Sequence, residues 1–244
     1  MDCEMIRGKL ELNGIPFEKW LPGKLEIYLH LLLDWNRTMD LTTVYDKDEI
    51  TDRHFIDSLT VLRTELIPQG ASLIDVGTGA GFPGMVLAMA RPDLKVTLMD
   101  AQQKRLNFLE AVKSATKTEN VSTVHTRAED GAREKRHREQ YDIATARALA
   151  PLNVLCEYLL PYVRVGGCAL CWKGPSLNEE LEAGRRASRL LGGRLEVPVL
   201  YEVSGKEWEH RILPVRKSEK TAPAYPRRAG TPKAKPLGEG IQKF

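Results

Sequence analysis

The chain has 244 residues, 42% of them hydrophobic and 28% charged, and its formal net charge is +3. That length accommodates one α/β domain with appendages, whereas two full domains would be cramped. No apolar run reaches the roughly 18–20 residues of a membrane span and the amino terminus lacks a secretory signal, so we expect a cytoplasmic protein without a membrane partner. We also expect a monomer.

Two amphipathic helices are predicted before residue 67. Residues 21–39 place leucines and aromatic side chains at helical spacing after a Pro-Gly start, and residues 46–66 repeat an apolar stripe. We therefore expect residues 1–66 to form an N-terminal helical extension.

The pattern changes at residue 71 to short β-rich runs that alternate with helices, which indicates a parallel sheet with crossover connections. We expect an α/β, Rossmann-like core over residues 67–217, with a mostly parallel, seven-stranded sheet that ends in an antiparallel hairpin. The predicted strands lie near 71–76, 95–99, 121–125, 141–145 and 167–172, the hairpin strands at 194–203 and 210–217, and the helices near 84–91, 102–116, 150–162 and 176–191.

The stretch LIDVGTGAGFPG, residues 73–84, places glycines directly behind a buried strand. Glycine permits positive φ and lets a ligand approach main-chain N–H groups without a Cβ in the way. Two cofactor classes use such loops: GAGFPG matches the dinucleotide pattern, and DVGTGAG matches that of methyltransferases that use S-adenosylmethionine (SAM). The glycine next to the strand is Gly77, which gives G-x-G-x-G and favours SAM. Asp75 would accept hydrogen bonds from the cofactor or from loop N–H groups, whereas it would repel a pyrophosphate.

Three further strand ends carry candidate binding residues. Asp100 closes the second strand, where a carboxylate can accept from both ribose hydroxyls of an adenosyl group or cap the next helix. Ala128 and Glu129 follow the third strand and are placed to contact adenine. Arg147 ends the fourth strand and needs a partner there, either a ligand or a structural carboxylate.

The acceptor atom is indicated by what the fourth strand lacks. Enzymes that methylate exocyclic amines commonly carry [D/N]-P-P-[Y/F] there, and this chain has ARALAP. Cys168 and Cys171 lie in an apolar predicted strand, which favours packing over a nucleophilic role, and they lack the partners of a metal site. A ring nitrogen such as guanine N7 already has a lone pair and needs no general base.

A basic tail ends the chain. Residues 217–244 contain seven Lys or Arg against two Glu, a local net charge of +5. We expect residues 218–244 to form a basic C-terminal tail that binds RNA, the alternative being a solvated tail without a ligand. The segment 131–140 is also unusually basic.

These motifs together resemble the glucose-inhibited division protein B family, the bacterial 16S ribosomal RNA guanine-N7 methyltransferases. The resemblance implies a class I SAM-dependent methyltransferase fold, SAM as donor, and a guanosine of naked rRNA or of the assembled small subunit as acceptor. It also implies cofactor contacts at Gly77, Phe82, Ala128, Glu129 and Arg147, beside the predicted contacts Asp75, Gly79 and Asp100. The stretches that carry it are MDLTTV, RHFIDSL, LIDVGTGAGFPGMVLA, RPDLKVTLMD, KRLNFLEAV, RAED, ARALAPL and YPRRAGTPKAKPLG.

No catalytic base is predicted, and the acceptor pocket has three candidates: Arg147, His54 and Lys173. His54 lies three residues before Asp57 on one helical face, so it either pairs with Asp57 or the loop 40–44, or lines the pocket with Arg53 and Ser58. Two other functions stay open, an NAD-binding oxidoreductase and a noncatalytic RNA-binding factor with the same fold.

Overall fold

Strands of one sheet organise the computed structural model, which describes residues 1–239. Their order across the sheet is β3-β2-β1-β4-β5-β8-β6, with β7 also paired to β8. Within the described residues the strands are β1 Ser72–Val76, β2 Lys95–Asp100, β3 Val121–His125, β4 Tyr141–Arg147, β5 Val163–Lys173, β6 Gly193–Leu195, β7 Val199–Tyr201 and β8 His210–Lys217. This confirms the predicted α/β fold.

The first five strands are parallel, because β1 pairs with β2 and β4, β2 with β3, and β4 with β5 in parallel registers. Strand order reverses between β1 and β4, since the chain runs outward from β1 through β2 to β3 and then returns to the other side. Open α/β sheets bind ligands at this switch point, beyond the carboxyl ends of the strands.

The antiparallel end of the sheet differs from the predicted hairpin. Residues 194–203 were expected to form one strand, and the structure divides them into β6 and β7, which lie along two halves of β8. Pro198 separates them because proline has no N–H with which to continue the ladder. The described residues therefore form eight strands, where seven were predicted.

Helices cover both faces of the sheet. The α-helices outside residues 47–63 are α1 Asp2–Leu12, α2 Leu21–Trp35, α5 Gly84–Ala90, α6 Gln103–Thr116, α7 Ala128–Gly131, α8 Leu152–Leu159, α9 Leu177–Leu190 and α10 Thr231–Ala234. One face packs against α2, α5 and α6 through a core that includes Leu29, Met85 and Leu109. The other face packs against α8 and α9 through Leu155 and Ala187. None of the helices in residues 1–239 is both long and apolar enough to cross a membrane.

The N-terminal helices include one that the sequence pattern missed. Helix α1 buries only Ile6 and Leu10, so its apolar stripe is too short to stand out. The expected second helix is also irregular: α3 Lys47–Ile50, a π-helix over Thr51–Ile56, α4 Asp57–Leu59 and a 3₁₀ turn over Thr60–Arg63. Single π turns within α-helices are frequent at functional sites, and this one carries Arg53 and His54.

The described part of the tail, residues 218–239, packs against the core. Lys217, counted with the basic tail from sequence, is fully buried at the end of β8, where its Nζ donates to the carbonyl oxygens of Leu160 and Leu191. Residues 240–244 lie outside the described residues. The division into an extension, a core and a tail stays a prediction.

Candidate functional site

Asp75, near the end of β1, supports the glycine loop, which we define as residues 77–83 between β1 and α5. Its side chain is fully buried, and Oδ2 accepts from the Thr78 hydroxyl at 2.6 Å and from the Gly84 N–H at 3.0 Å. The loop turns through positive φ at Gly77 and Gly79, +68° and +60°, a region that favours glycine. Of the two roles predicted for Asp75, the structure shows the one toward loop N–H groups.

Burial raises the pKa of Asp75 to about 6, although the bonds from Thr78 and Gly84 oppose the rise. Its Oδ1 is buried and has no hydrogen-bond partner among residues 1–239. The carboxylate is therefore held at an electrostatic cost directly beneath the loop, and contact with a cofactor stays a prediction.

A cavity of about 450 Å³ opens beside the loop. We call it the glycine-loop cavity, and its volume lies in the range of small-molecule sites. It brings together side chains from the carboxyl ends of β1, β2 and β3, the loop after β4, helix α8 and the tail. Its lining is Gly77, Asp100, Ala101, Gln102, Arg105, Thr126, Arg127, Ala128, Glu129, Leu149, Tyr158, Gly230, Lys233 and Ala234.

Two carboxylates of this cavity are held by main-chain N–H groups. Asp100 accepts from Gly79 N at 2.9 Å and from Gln102 N at 2.8 Å, and Arg105 Nη1 lies 3.5 Å from its Oδ2. Glu129 accepts through Oε1 from Gly230 N at 2.8 Å. A carboxylate has about four lone-pair sites, so each retains acceptor capacity for a ligand. The predicted capping role of Asp100 reduces to one bond just before α6.

A second cavity, of about 330 Å³, lies on the other side of the loop Arg147–Ala150. We call it the Asp57 cavity. Its lining is Arg53, His54, Asp57, Arg147, Ala148, Ala150, Trp172, Lys173, Gly174, Ser176, Tyr201 and His210. The two cavities are separated by four residues of chain, because Arg147, Ala148 and Ala150 face this one and Leu149 faces the glycine-loop cavity.

Asp57 is the hub of its cavity. Its Oδ1 accepts from the Tyr201 hydroxyl and is 2.7 Å from His210 Nδ1, and its Oδ2 accepts from Arg147 at 2.7 Å. Burial alone would raise the pKa of Asp57, but the bonds from His210 and Tyr201 and the Arg147 charge outweigh it and lower that pKa. Both oxygens of this carboxylate are therefore occupied.

Arg147 lies in the Asp57 cavity, so the structural partner considered for it from sequence is present. Besides Asp57, its guanidinium donates to the Arg53 carbonyl oxygen and lies 3.1 Å from His54 Nδ1. It also stacks over Phe82, 5.3 Å from the ring centroid. Its role as a cofactor contact, and that of Phe82, stay predictions.

His54 is neutral in this setting. Burial lowers the pKa of His54 to about 3, and the charge of Arg147 acts in the same direction. Because Arg147 can only donate to Nδ1, Nε2 carries the hydrogen and donates to Thr42 Oγ1 at 2.8 Å. The ring stacks on Phe82 at 4.6 Å. The predicted contact with the loop 40–44 is therefore present, together with a place in the lining of the cavity.

Comparison with known proteins identifies the family to which the chain belongs. A family model described as rRNA small subunit methyltransferase G matches residues 22–204. The chain is 43% identical over 214 residues to the ribosomal RNA small subunit methyltransferase G of Alkaliphilus metalliredigens, which covers 88% of this chain and 90% of the relative. A protein of the same name from Clostridium perfringens (strain SM101 / Type A) is 42% identical, with 96% and 98% covered. The chain belongs to the rRNA small subunit methyltransferase G family.

The fold of this family member is shared with solved methyltransferases. A 16S rRNA (adenine(1408)-N(1))-methyltransferase from Catenulisporales acidiphilia, solved with SAM, superimposes with a TM-score of 0.51 at 16% identity. The alignment covers 62% of this chain and 87% of the other. The class I methyltransferase fold and the family resemblance expected from the motifs are both confirmed, and they favour a methyltransferase over the NAD-binding alternative.

Two other acceptor-pocket candidates have structural partners in this family member. Lys173 lines the Asp57 cavity, but its Nζ is 2.5 Å from Glu180 Oε2 and also donates to the Ala150 carbonyl oxygen. Ser58 is fully buried and donates to the His54 carbonyl oxygen. Lys173 therefore supports the loop between the cavities, and Ser58 does not reach the lining.

Sequence reasoning missed the three lining residues that bind Asp57 besides Arg147, namely Trp172, Tyr201 and His210. Trp172 Nε1 donates to the Asp57 carbonyl oxygen at 3.3 Å, and the other two bind the Asp57 carboxylate. His210 is 153 residues from Asp57 in the chain, so no local spacing indicates the pair. The sequence predicted that a strand begins at residue 210, and this strand start was the signal that could have pointed to His210.

The cysteines of β5 have the packing role that the sequence favoured. Cys168 and Cys171 are fully buried, and burial raises the pKa of their thiols to about 11 and about 12. A thiol with such a pKa is protonated at neutral pH and is a poor nucleophile.

Proposed function

We propose that the protein transfers the methyl group of SAM to N7 of one guanosine in small-subunit ribosomal RNA. The observation that carries the proposal is the pair of cavities on either side of the loop Arg147–Ala150. One is lined by Gly77 of the glycine loop and by two carboxylates, and the other by cationic and aromatic side chains around Asp57. Family membership adds that rRNA is the substrate named for the relatives.

The glycine-loop cavity fits the adenosyl part of SAM. At Gly77 the main chain is bare, and a Cβ there would meet Leu149 at 2.7 Å. Beside the bonds from Gly79, Gln102 and Arg105, Asp100 retains acceptor capacity that suits a ribose hydroxyl, and Glu129 suits the exocyclic amine of adenine. SAM, once bound, supplies a methyl group activated by the adjacent sulfonium.

The Asp57 cavity suits a guanine base. Guanine presents two acceptors, O6 and N7, on one edge, and arginine is the usual donor to that edge. Arg147 and Arg53 are both in the lining, and Trp172 and Tyr201 supply aromatic surface. With N7 aimed at the methyl group, donors from these side chains would hold O6 and fix the ring in line with the sulfonium.

The protonation states of Asp57 and His54 agree with guanine N7 as the methyl acceptor. Asp57 is held ionised by three donors, and His54 has both ring nitrogens engaged. Neither group is poised to remove a proton. Because N7 attacks through a lone pair that carries no hydrogen, the reaction requires alignment and no base.

The function is tested by mapping N7-methylguanosine in small-subunit rRNA from a strain that lacks the gene. We expect one modification to disappear and to return with the intact gene. Purified protein and SAM should then restore it in vitro, on either free rRNA or assembled subunits isolated from that strain. If the deletion strain keeps every N7-methylguanosine, the proposal fails.

We also propose that the protein is located in the cytoplasm, because the proposed substrate is ribosomal RNA. We further propose that it is a monomer, and light scattering of the purified protein would test this.

Replacing Arg147 separates the two cavities experimentally. The resemblance implies a cofactor contact for Arg147, whereas its place in the lining of the Asp57 cavity alone favours a role toward the acceptor; in that role, Arg147→Ala should change the affinity for S-adenosylhomocysteine by less than about twofold. It should reduce methylation by about 10²–10³-fold, the usual cost of removing one donor from a reacting group. Arg164→Ala, at the far end of β5, is the control and should change neither. A loss of cofactor affinity as large as the loss of activity would instead place Arg147 at the cofactor.

A further inference from the structure

The segment 227–234 is unexpectedly close to the glycine-loop cavity. Gly230, Lys233 and Ala234 belong to its lining, although they lie about 100 residues beyond Glu129 in the chain. The sequence indicated a basic tail for RNA. The structure instead places this part of the tail in the lining of the same cavity as Asp100, the cavity that we assign to SAM.

The tail is held there by a series of anchors. Arg227 donates to both oxygens of Glu157, a fully buried carboxylate on α8, and its own N–H binds Glu157 Oε1 at 2.7 Å. Arg138, from the basic segment 131–140, donates to the carbonyl oxygens of Thr221 and Tyr225. Asn153 donates to the Leu237 carbonyl oxygen. Arg227, from the tail expected to bind RNA, and Arg138, from the basic segment 131–140, therefore both fix the tail to the core.

Glu129 joins the tail to the cavity. Its side chain is 5% exposed, and Oε1 accepts from Gly230 N at 2.8 Å. Its Oε2 accepts no hydrogen bond from any residue between 1 and 239. A carboxylate that lines the cavity thus holds the tail through one oxygen and keeps the other available as an acceptor.

We propose that residues 227–234 are one wall of the adenosyl site, and that Glu129 couples their position to the bound nucleoside. The inference rests on the proposed use of SAM. Glu129 Oε2 accepts from the adenine amine while Oε1 accepts from Gly230 N. The bound nucleoside and the tail therefore both fix the orientation of the Glu129 side chain. Coupling of this kind is reciprocal: the ligand stabilises the wall, and a correctly placed wall strengthens ligand binding.

Hydrogen exchange of the full chain tests the first half of this coupling. S-adenosylhomocysteine at saturation should slow exchange in peptides over residues 227–239 by about tenfold or more, since ligand binding raises the free energy of local opening. Peptides over α1 lie far from the cavity and should exchange at an unchanged rate.

Variants of the full chain test the second half. Ala234→Trp places an indole in the cavity and should weaken S-adenosylhomocysteine binding by about tenfold or more, measured by calorimetry. The matched control is Lys235→Trp, one residue outside the lining, which should bind like the unaltered protein. Glu129→Gln has one acceptor and one donor, so it cannot serve both Gly230 and the adenine amine, and it should also bind at least about tenfold more weakly.

The outcomes separate this inference from the function on which it rests. If the unaltered protein does not bind S-adenosylhomocysteine, the proposed use of SAM fails. If it binds, but residues 227–239 exchange equally fast with and without ligand, the coupling is overturned while the function stands. If Ala234→Trp is folded by circular dichroism and binds as tightly as Lys235→Trp, the wall is overturned.

Discussion

His54 shows how one side chain in the Asp57 cavity is kept neutral. It is enclosed by Phe82 on one face, accepts from Arg147 through Nδ1 and donates through Nε2 to Thr42. A second proton would lie on Nδ1, against a guanidinium. The ring therefore serves as an acceptor that orients Arg147, and protonation would break that contact.

This protonation penalty predicts a stability change with pH. The folded pKa of His54, about 3, lies below the unfolded value of 6.5, so the unfolded state binds the extra proton first. Stability from this group is complete above pH 6.5 and is lost as pH falls toward 3. Between pH 7.5 and pH 5.0 the unaltered protein should lose about 2 kcal/mol more than His54→Gln, by urea denaturation.

The comparison between the two proteins isolates His54 from other groups. Asp75, with its pKa raised to about 6, acts in the opposite direction, since its contribution falls as pH rises from 3.8 to 6. Asp75 is present in both proteins and cancels. Equal losses in the two proteins would contradict the neutral, buried ring.

Residues near the cavities differ in how far sequence could predict them. Asp100 and Glu129 were predicted because carboxyl ends of parallel strands meet at one edge, and both line the glycine-loop cavity. The cluster around Asp57 could not be predicted, because Tyr201 and His210 reach it from the antiparallel end of the sheet. Its formation depends on tertiary packing, which leaves no local pattern.

At the scale of elements, the glycines of the glycine loop have different structural roles, as Gly79 and Gly81 show. A Cβ on Gly79 would meet nothing nearer than 4.0 Å. A Cβ on Gly81 would contact the Tyr28 hydroxyl, with Leu109 Cδ2 at 2.7 Å and Met85 Cβ at 2.9 Å. Gly79 is thus required by its backbone conformation alone, whereas Gly81 also allows α2 and α6 to pack against the loop.

Substitution by alanine should separate these duties. Gly79→Ala carries only the penalty of a left-handed residue, about 1–2 kcal/mol in the free energy of unfolding. Gly81→Ala adds overpacking, about 1–3 kcal/mol more, because its neighbours are a buried ring and a helix. Urea denaturation of both variants measures the difference, and equal losses would contradict the tight contact between the loop and the N-terminal helices.

Elements with strong periodicity were predicted within a few residues, and irregular ones were not. The strands β1 to β4 and the helices α6 and α9 match their expected ranges closely. The tail was read from composition, and composition does not reveal that Arg227 finds a buried carboxylate on α8. A charge count describes a segment in solution, whereas its partners depend on the surface on which the chain lies.

For the whole molecule, the consequence is that distant parts of the chain stabilise one another. The N-terminal helices cover one face of the sheet, β8 pairs with β5 near its far edge, and the tail returns across α8 to the cavity. Such an arrangement should unfold in one cooperative transition, with the tail contributing to the stability of the core.

The pair of Glu157 and Arg227 tests this contribution. Arg227→Ala should lower the free energy of unfolding by about 3–5 kcal/mol, because it leaves Glu157 buried and without a counter-charge. The double variant Glu157→Leu with Arg227→Met removes both charges and retains volume, so it should recover most of that loss. Urea denaturation of the two single variants and the double variant completes the cycle. If Arg227→Ala leaves stability within about 0.5 kcal/mol of the unaltered chain, as is usual for a surface substitution, the tail is not part of the cooperative fold.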